Sequence, residues 1–151
     1  MAYVDLRAQL VSIITGTTPA ASPFGWPAKY EEAVSVGRDG RVRRARAFSL
    51  LAADLSIYSA IAGRRMHQAQ WTITFHLGPL PTDRRAFDLA LQADRKALSD
   101  RIIDPANWSA STTGFVVLQP SGAETTLPFS LDVSDPEDVK DVLRVGVAYR
   151  S

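Results

Sequence analysis

The densest group of chemistry-bearing side chains is a run of arginines: Arg38, Arg41, Arg43, Arg44 and Arg46 fall within nine residues. Guanidinium groups suit bidentate contact with phosphate or carboxylate. Two readings are open, an arm that faces nucleic acid and a solvated or subunit-bridging arm. If the run is a strand, Arg41 and Arg43 take one parity and Arg44 and Arg46 the other, so the charge is not confined to one face. No aromatic residue interleaves before Phe48 to stack a base.

Other chemistries find less support. The two histidines, His67 and His76, are nine apart on a strand pattern, so they point to opposite faces and cannot chelate one ion in a regular strand. His76 is expected to be solvated or in contact with another subunit. The chain has no Cys, which excludes disulfides, thiolate zinc sites, iron–sulfur ligation and thiol nucleophiles. There is no Gly-x-Ser-x-Gly elbow, and Gly37-Arg38-Asp39-Gly40 lacks the Lys-Ser/Thr of a phosphate loop, so it reads as a turn. Asp132, Asp135, Glu137, Asp138 and Asp141 lack the spacing and central Gly of a calcium loop and read as a solvated acidic turn. No catalytic, metal or cofactor residue is expected.

Three features point instead to contact surfaces. At about 100° per residue, Asp94 and Arg101 fall inside the apolar stripe formed by Phe87, Ala90, Leu91, Ala97, Leu98 and Ile102. Charges in a core face need partners, so these either pair or snorkel within the domain or pair across to a neighbouring chain. Gln68, Gln70, Thr72, Thr74 and His76 make one face of a strand polar without a fixed charge, which suits an exposed face, a contact or a lumen. Phe24 and Trp26 sit in a Pro-rich loop, where large aromatics fold back onto their own domain or anchor on a neighbour.

The elements that must hold these residues follow from periodicity. Tyr3, Leu6, Leu10, Ile13 and Ile14 predict a first helix ending near Gly16, and Pro19, Pro23, Gly25 and Pro27 mark residues 17–28 as loop. The Asp39-Gly40 pair predicts a hairpin whose second arm, the arginine-rich region near 37–50, follows it. Residues 51–62 fit a short helix through Leu51, Leu55, Tyr58 and Ile61. Strict alternation predicts a strand over 66–77, with Thr82 or Asp83 capping a long helix that stops at Asp104-Pro105. Two strands, 114–118 and 125–133, are expected as a hairpin, Pro128 placing the second near an edge or bulge, and residues 143–150 as a closing strand. Strands in runs imply an α+β fold: a mainly antiparallel sheet with two principal helices on one face and a long hairpin or arm.

Length and composition fit this. The 151 residues, 46% hydrophobic and 22% charged, describe a single domain over 1–151, of a size that buries roughly 68–70% of its unfolded surface. A formal charge of +1 gives no global pull toward nucleic acid or anionic lipid. No run of about 18 apolar residues is present and none is expected to span a membrane. Asp5 and Arg7 inside the first apolar run argue against a secretory signal, so synthesis in the cytoplasm is expected. Fourteen of the seventeen cations are Arg, a bias toward interfaces.

Four stretches, Arg44-Ala45-Arg46-Ala47-Phe48, the arginine-led strand at 64–75, the segment 87–98 leading to Asp104-Pro105-Ala106-Asn107-Trp108, and the closing strand at 143–150, resemble the tail terminator and related neck proteins of long-tailed bacteriophages. The resemblance covers about two thirds of the chain. It implies a non-enzymatic virion protein without cofactors, made in the host cytoplasm and forming a homo-oligomeric ring, usually hexameric. Such a ring caps the tail tube protein, ends tube polymerisation and joins the head–tail connector or stopper protein, with genome DNA passing through its channel without sequence-specific binding. A head-completion or connector-adaptor protein of the neck and a DNA-binding regulator using the arginine arm remain alternatives. The long arginine-rich region departs from the family pattern. Arg38, Arg41, Arg43, Arg44, Arg46, Asp94, Arg101, Phe24, Trp26, Gln68, Gln70 and His76 are the candidates for subunit-facing or DNA-facing roles.

Overall fold

The computed structural model describes residues 3–33, 44–61, 64–108, 116–118 and 127–150. Two helices, α1 (Tyr3–Thr15) and α2 (Arg84–Ile103), accompany strands β1 (Glu31–Glu32), β2 (Ala47–Ile61), β3 (Arg64–Gly78), β4 (Val116–Leu118), β5 (Phe129–Asp132) and β6 (Val139–Arg150). The strands form one mixed sheet in the order β1-β2-β3-β6-β4, with β5 also on the outer edge of β6. The fold is α+β, as the runs of strands predict.

Strand β3 organises the sheet because it is long and alternates cleanly. Trp71, Ile73, Phe75 and Leu77 are buried, while Gln70 is exposed and Thr72 and Thr74 are half-buried. The antiparallel registers Phe48↔Phe75, Leu50↔Ile73, Ile73↔Leu143 and Trp71↔Val145 bring apolar residues of three strands onto one face. Both helices pack there, α1 through Leu6, Leu10, Ile13 and Ile14 and α2 through Leu98 and Ile102. A second cluster joins Leu77 and Val139 of the sheet to Phe87 and Leu91 of α2.

Local chemistry sets the helix ends. The Asp83 carboxylate accepts from the Ala86 N–H at 3.1 Å and caps α2. Pro105 disfavours helical geometry at Asp104 and stops it. A 3-10 turn over Pro105–Asn107 follows. The Asn107 amide then donates to the Arg101 carbonyl at 2.8 Å and the Trp108 indole to the Ile102 carbonyl at 3.0 Å, satisfying acceptors that a helix C-terminus leaves open. Gly78, at φ 76°, takes the left-handed conformation that ends β3 beyond a bulge.

Two expectations about the elements are corrected. Residues 51–61 belong to β2 and not to a helix. The register with β3 slips between Ala52 and Leu55 and again between Ile57 and Ser59. Each bulge adds a residue and reverses the inside–outside phase, so a strand acquires spacings that mimic a helical stripe. The turn expected across Gly37–Gly40 and the arms next to it lie outside the described residues; the described flank β1 pairs β2 in parallel, Glu31↔Ala47 and Glu32↔Phe48. The hairpin expected between the strands near 114–118 and 125–133 is absent as a pair. Both β4 and β5 lie antiparallel to β6, which at twelve residues is long enough to carry them in tandem.

Candidate functional site

The charges set into the apolar stripe of α2 are resolved within the chain. Arg46 is 1% exposed and its guanidinium takes Asp94 in two hydrogen bonds, Nε to Oδ2 at 3.1 Å and Nη2 to Oδ1 at 2.8 Å. Nη1 donates to the Pro27 carbonyl and Nη2 also to the Ala20 carbonyl, each at 2.9 Å. The Trp26 and Tyr30 rings lie 5.3 and 6.0 Å from the guanidinium carbon. One arginine therefore ties the Pro-rich loop, α2 and the start of β2 together. Its backbone adopts φ 62°, uncommon for a residue with a Cβ, and its N–H donates to the His76 carbonyl at 2.6 Å.

This polar cluster is buried. Burial pushes the Asp94 carboxyl above its ordinary value, opposed by the bound Arg46 guanidinium. The Tyr30 hydroxyl is buried beside Asp94 and is pushed upward by burial first and by the Asp94 charge second. Such a cluster positions elements; it offers no nucleophile at a surface.

Arg101 resolves differently. Its Nε is buried without a hydrogen-bond partner among the described residues. Its Nη2 lies 2.8 Å from where a Cβ on Gly16 would stand, so the missing side chain makes its berth at the C-terminal end of α1. A cation is favourable there, where the helix dipole is negative.

Phe24 and Trp26 fold back onto their own domain. Their ring centroids are 5.3 Å apart, and both approach Phe87, Trp26 edge-on at 6.2 Å. Beside them an open groove of about 650 Å3 is lined by Phe24, Trp26, Leu77, Leu80 and Arg44.

His76 is corrected from solvated to buried. Its Nδ1 lies 3.1 Å from Oδ1 of Asp138, itself buried, and the Lys140 ammonium donates to the Asp138 carbonyl at 3.2 Å. The acidic turn is corrected with it, because it is only partly solvated. Asp138 closes over His76, and Asp141 is buried against Arg95 in two bonds of 2.9 and 2.7 Å. The hydrogen bond to Asp141 raises the Arg95 guanidinium above its ordinary value. Asp132 and Asp135 accept the N–H groups of Ser134 and Glu137 as turn caps. Among the described residues no group of three or more His, Asp or Glu is placed to hold a metal ion.

Of the arginine run, Arg38, Arg41 and Arg43 lie outside the described residues. Arg44 is exposed and pairs with Glu31 at 3.1 Å, and Arg46 is internal. The run is thus not a uniform surface stripe. Gln68 is placed by register alone, opposite Ser56 and Ala148.

The sheet's second face remains. Opposite the helices, the registers Ser49↔Thr74, Leu51↔Thr72 and Thr72↔Arg144 set side chains with no helix over them among the described residues. Ser49, Gln70 and Arg144 are exposed, and Leu51 is 72% exposed. Sequence reasoning picked out Gln70 and this polar strand, but missed Leu51, Tyr30 and Asp138. The partner of Leu51 lies on another strand, and the other two gain meaning only from burial.

Compared with protein-family models and with curated proteins, the chain matches none. No helix among the described residues is long and apolar enough to cross a membrane.

Proposed function

We propose that the protein is a structural virion component: a ring, built from copies of this chain, at the head-proximal end of a phage tail. There it ends polymerisation of the tail tube and joins the tube to the head connector, with genome DNA passing through the channel. The basis is the resemblance carried by the strand at 64–75, the helix at 87–98 and the closing strand, together with one observation: a polar sheet face carrying Ser49, Gln70, Thr72 and Arg144, with Leu51 exposed among them, that the helices leave open among the described residues. In a ring each subunit presents two different surfaces to its neighbours, and such a face supplies contact area or channel lining.

The reading assigns no catalytic residue and no cofactor. Arg46 is engaged by Asp94 and Arg44 by Glu31, so a regulator gripping DNA through the whole arginine run is the weaker alternative.

The test is genetic and structural. Particles made without the protein should carry tails of abnormal length that fail to attach to heads, and density at the head–tail junction should show a ring of this chain on the tube. Tails of normal length and normal attachment overturn the proposal. A ring seated on the connector and not on the tube replaces it with the head-completion reading.

A further inference from the structure

The two edges of the sheet match each other. Beyond Phe48, β2 has no strand on its outer side among the described residues, a free edge from 49 to 61. Its composition does nothing to protect it. Residues 49–61 contain one charge, Asp54, and no Pro or Lys, whereas edges that must stay unpaired usually carry such residues. On the far side, β4 has no further strand beyond it among the described residues.

The backbone groups on that free edge follow from one hydrogen bond. The Phe48 carbonyl accepts from the Ala33 N–H at 2.7 Å, so Phe48 turns its backbone groups outward, away from β3. Alternation, carried through the bulges by the β3 register, then turns Leu50, Ala52, Leu55, Ile57 and Ala60 outward, evenly spaced opposite Ile73, Trp71, Ala69, His67 and Arg65.

One row of the sheet runs Leu55–Ala69–Val147–Val117 from edge to edge. Ala69 turns its backbone toward Val147 and Val147 toward Ala69, which leaves Val117 facing outward at the other end. Both ends of the row thus offer N–H and C=O groups that no strand among the described residues pairs, at the same level. Strand direction alternates β2, β3, β6, β4, so β4 of one copy beside β2 of the next would continue the antiparallel order without a break.

We propose that copies of this chain join head to tail by main-chain pairing of β4 with the outer edge of β2 around Leu55, so that one sheet runs from subunit to subunit. This deepens the ring reading and rests on it. The two contacting edges differ, as a closed heterologous ring requires, and the occupant of the β2 edge is a second copy of the chain.

The absence of Cys makes the test clean. Leu55 and Val117 lie three strand spacings apart within one chain, about 14 Å, too far for an internal disulfide. Directly opposed across the contact, their Cα atoms would be about 5.5 Å apart, at the disulfide optimum. The full chain carrying both Leu55→Cys and Val117→Cys, oxidised at high concentration, should give a ladder of linked copies. An equal mixture of the two single variants should give linked dimers and nothing larger, and Val117→Cys alone none. Ala52→Pro, which removes an outward N–H, should leave the circular dichroism spectrum unchanged and abolish the ladder when added to the double variant. Dimers from Leu55→Cys alone would mean a two-fold contact and overturn the proposal. So would the absence of a ladder from the folded double variant. If native mass spectrometry still shows a ring in that last case, only the edge pairing fails and the ring reading stands; a chain that neither links nor assembles and leaves tail length unaffected removes both.

Discussion

The guanidinium of Arg46 and the carboxylate of Asp94, 48 residues apart in the chain, meet in two hydrogen bonds of 2.8 and 3.1 Å inside the core. A charge pair this buried gains little relative to apolar packing, but breaking it leaves one buried ion without its partner.

Arg46→Ala is therefore expected to destabilise the fold by about 3–5 kcal/mol. It orphans Asp94 and leaves the Ala20 and Pro27 carbonyls without their donor. Arg46→Lys should also be costly, since an ammonium cannot reproduce the fork. The double variant Arg46→Met with Asp94→Leu should recover most of the loss in denaturant unfolding. An Arg46→Ala cost under about 1 kcal/mol, the level of an exposed pair, would show that the pair is hydrated.

Gly16→Ala should cost about 1 kcal/mol, because its Cβ would meet the Arg101 guanidinium at 2.8 Å and the Ser12 carbonyl at 3.1 Å. The guanidinium can move and the carbonyl cannot. Adding Arg101→Ala should then cost less than Arg101→Ala does in the parent chain, a coupling that a double-mutant cycle measures. Strict additivity would mean that the two residues do not share the space.

The Asp132 carboxyl is held below its ordinary value by the Ser134 side chain first and the Ser134 backbone second. A depressed carboxyl stabilises the fold above its unfolded value of about 3.9, and that contribution fades as the pH falls through the lower folded value. Ser134→Ala should move the Asp132 titration, followed by NMR of the carboxyl carbon, upward part of the way to the ordinary value. An unchanged titration would remove the hydroxyl as the cause.

Trp26→Ala should cost about 2 kcal/mol or more, less than a fully buried aromatic because the ring is half-buried. It removes contacts with Phe24, Phe87 and Arg46 together. The expected sign is faster proteolytic cutting within residues 17–29 while the rest of the chain resists. Uniform sensitivity would mean that the loop and the body unfold as one.

Leu51→Glu separates folding from assembly. Its side chain is 72% exposed on the open sheet face, so thermal stability should change by no more than about 0.5 kcal/mol. If that face is a subunit contact or channel lining, the charge should weaken self-association, read by sedimentation at matched concentrations. Unchanged association would place the contact elsewhere.

What was legible in the sequence was whatever a single element decides alone. The alternation of Trp71, Ile73, Phe75 and Leu77 announces β3 and its buried side, and Asp83 and Asp104-Pro105 announce the ends of α2, because side-chain parity, capping and proline sterics act over a few residues. The same periodicity flagged Asp94 and Arg101 as charges in need of partners. It could not say which partners. Arg46 reaches Asp94 only because the start of β2 and the middle of α2 are brought together by a sheet whose order no local pattern encodes. The bulges at Ala52/Leu55 and Ile57/Ser59 hid β2 behind a false helical spacing. His76 looked solvated until residues 62 positions away closed over it. Local sterics wrote the elements into the sequence; pairing and burial between distant segments, each stabilising only once the others are in place, decided which strands meet and which charges lie inside.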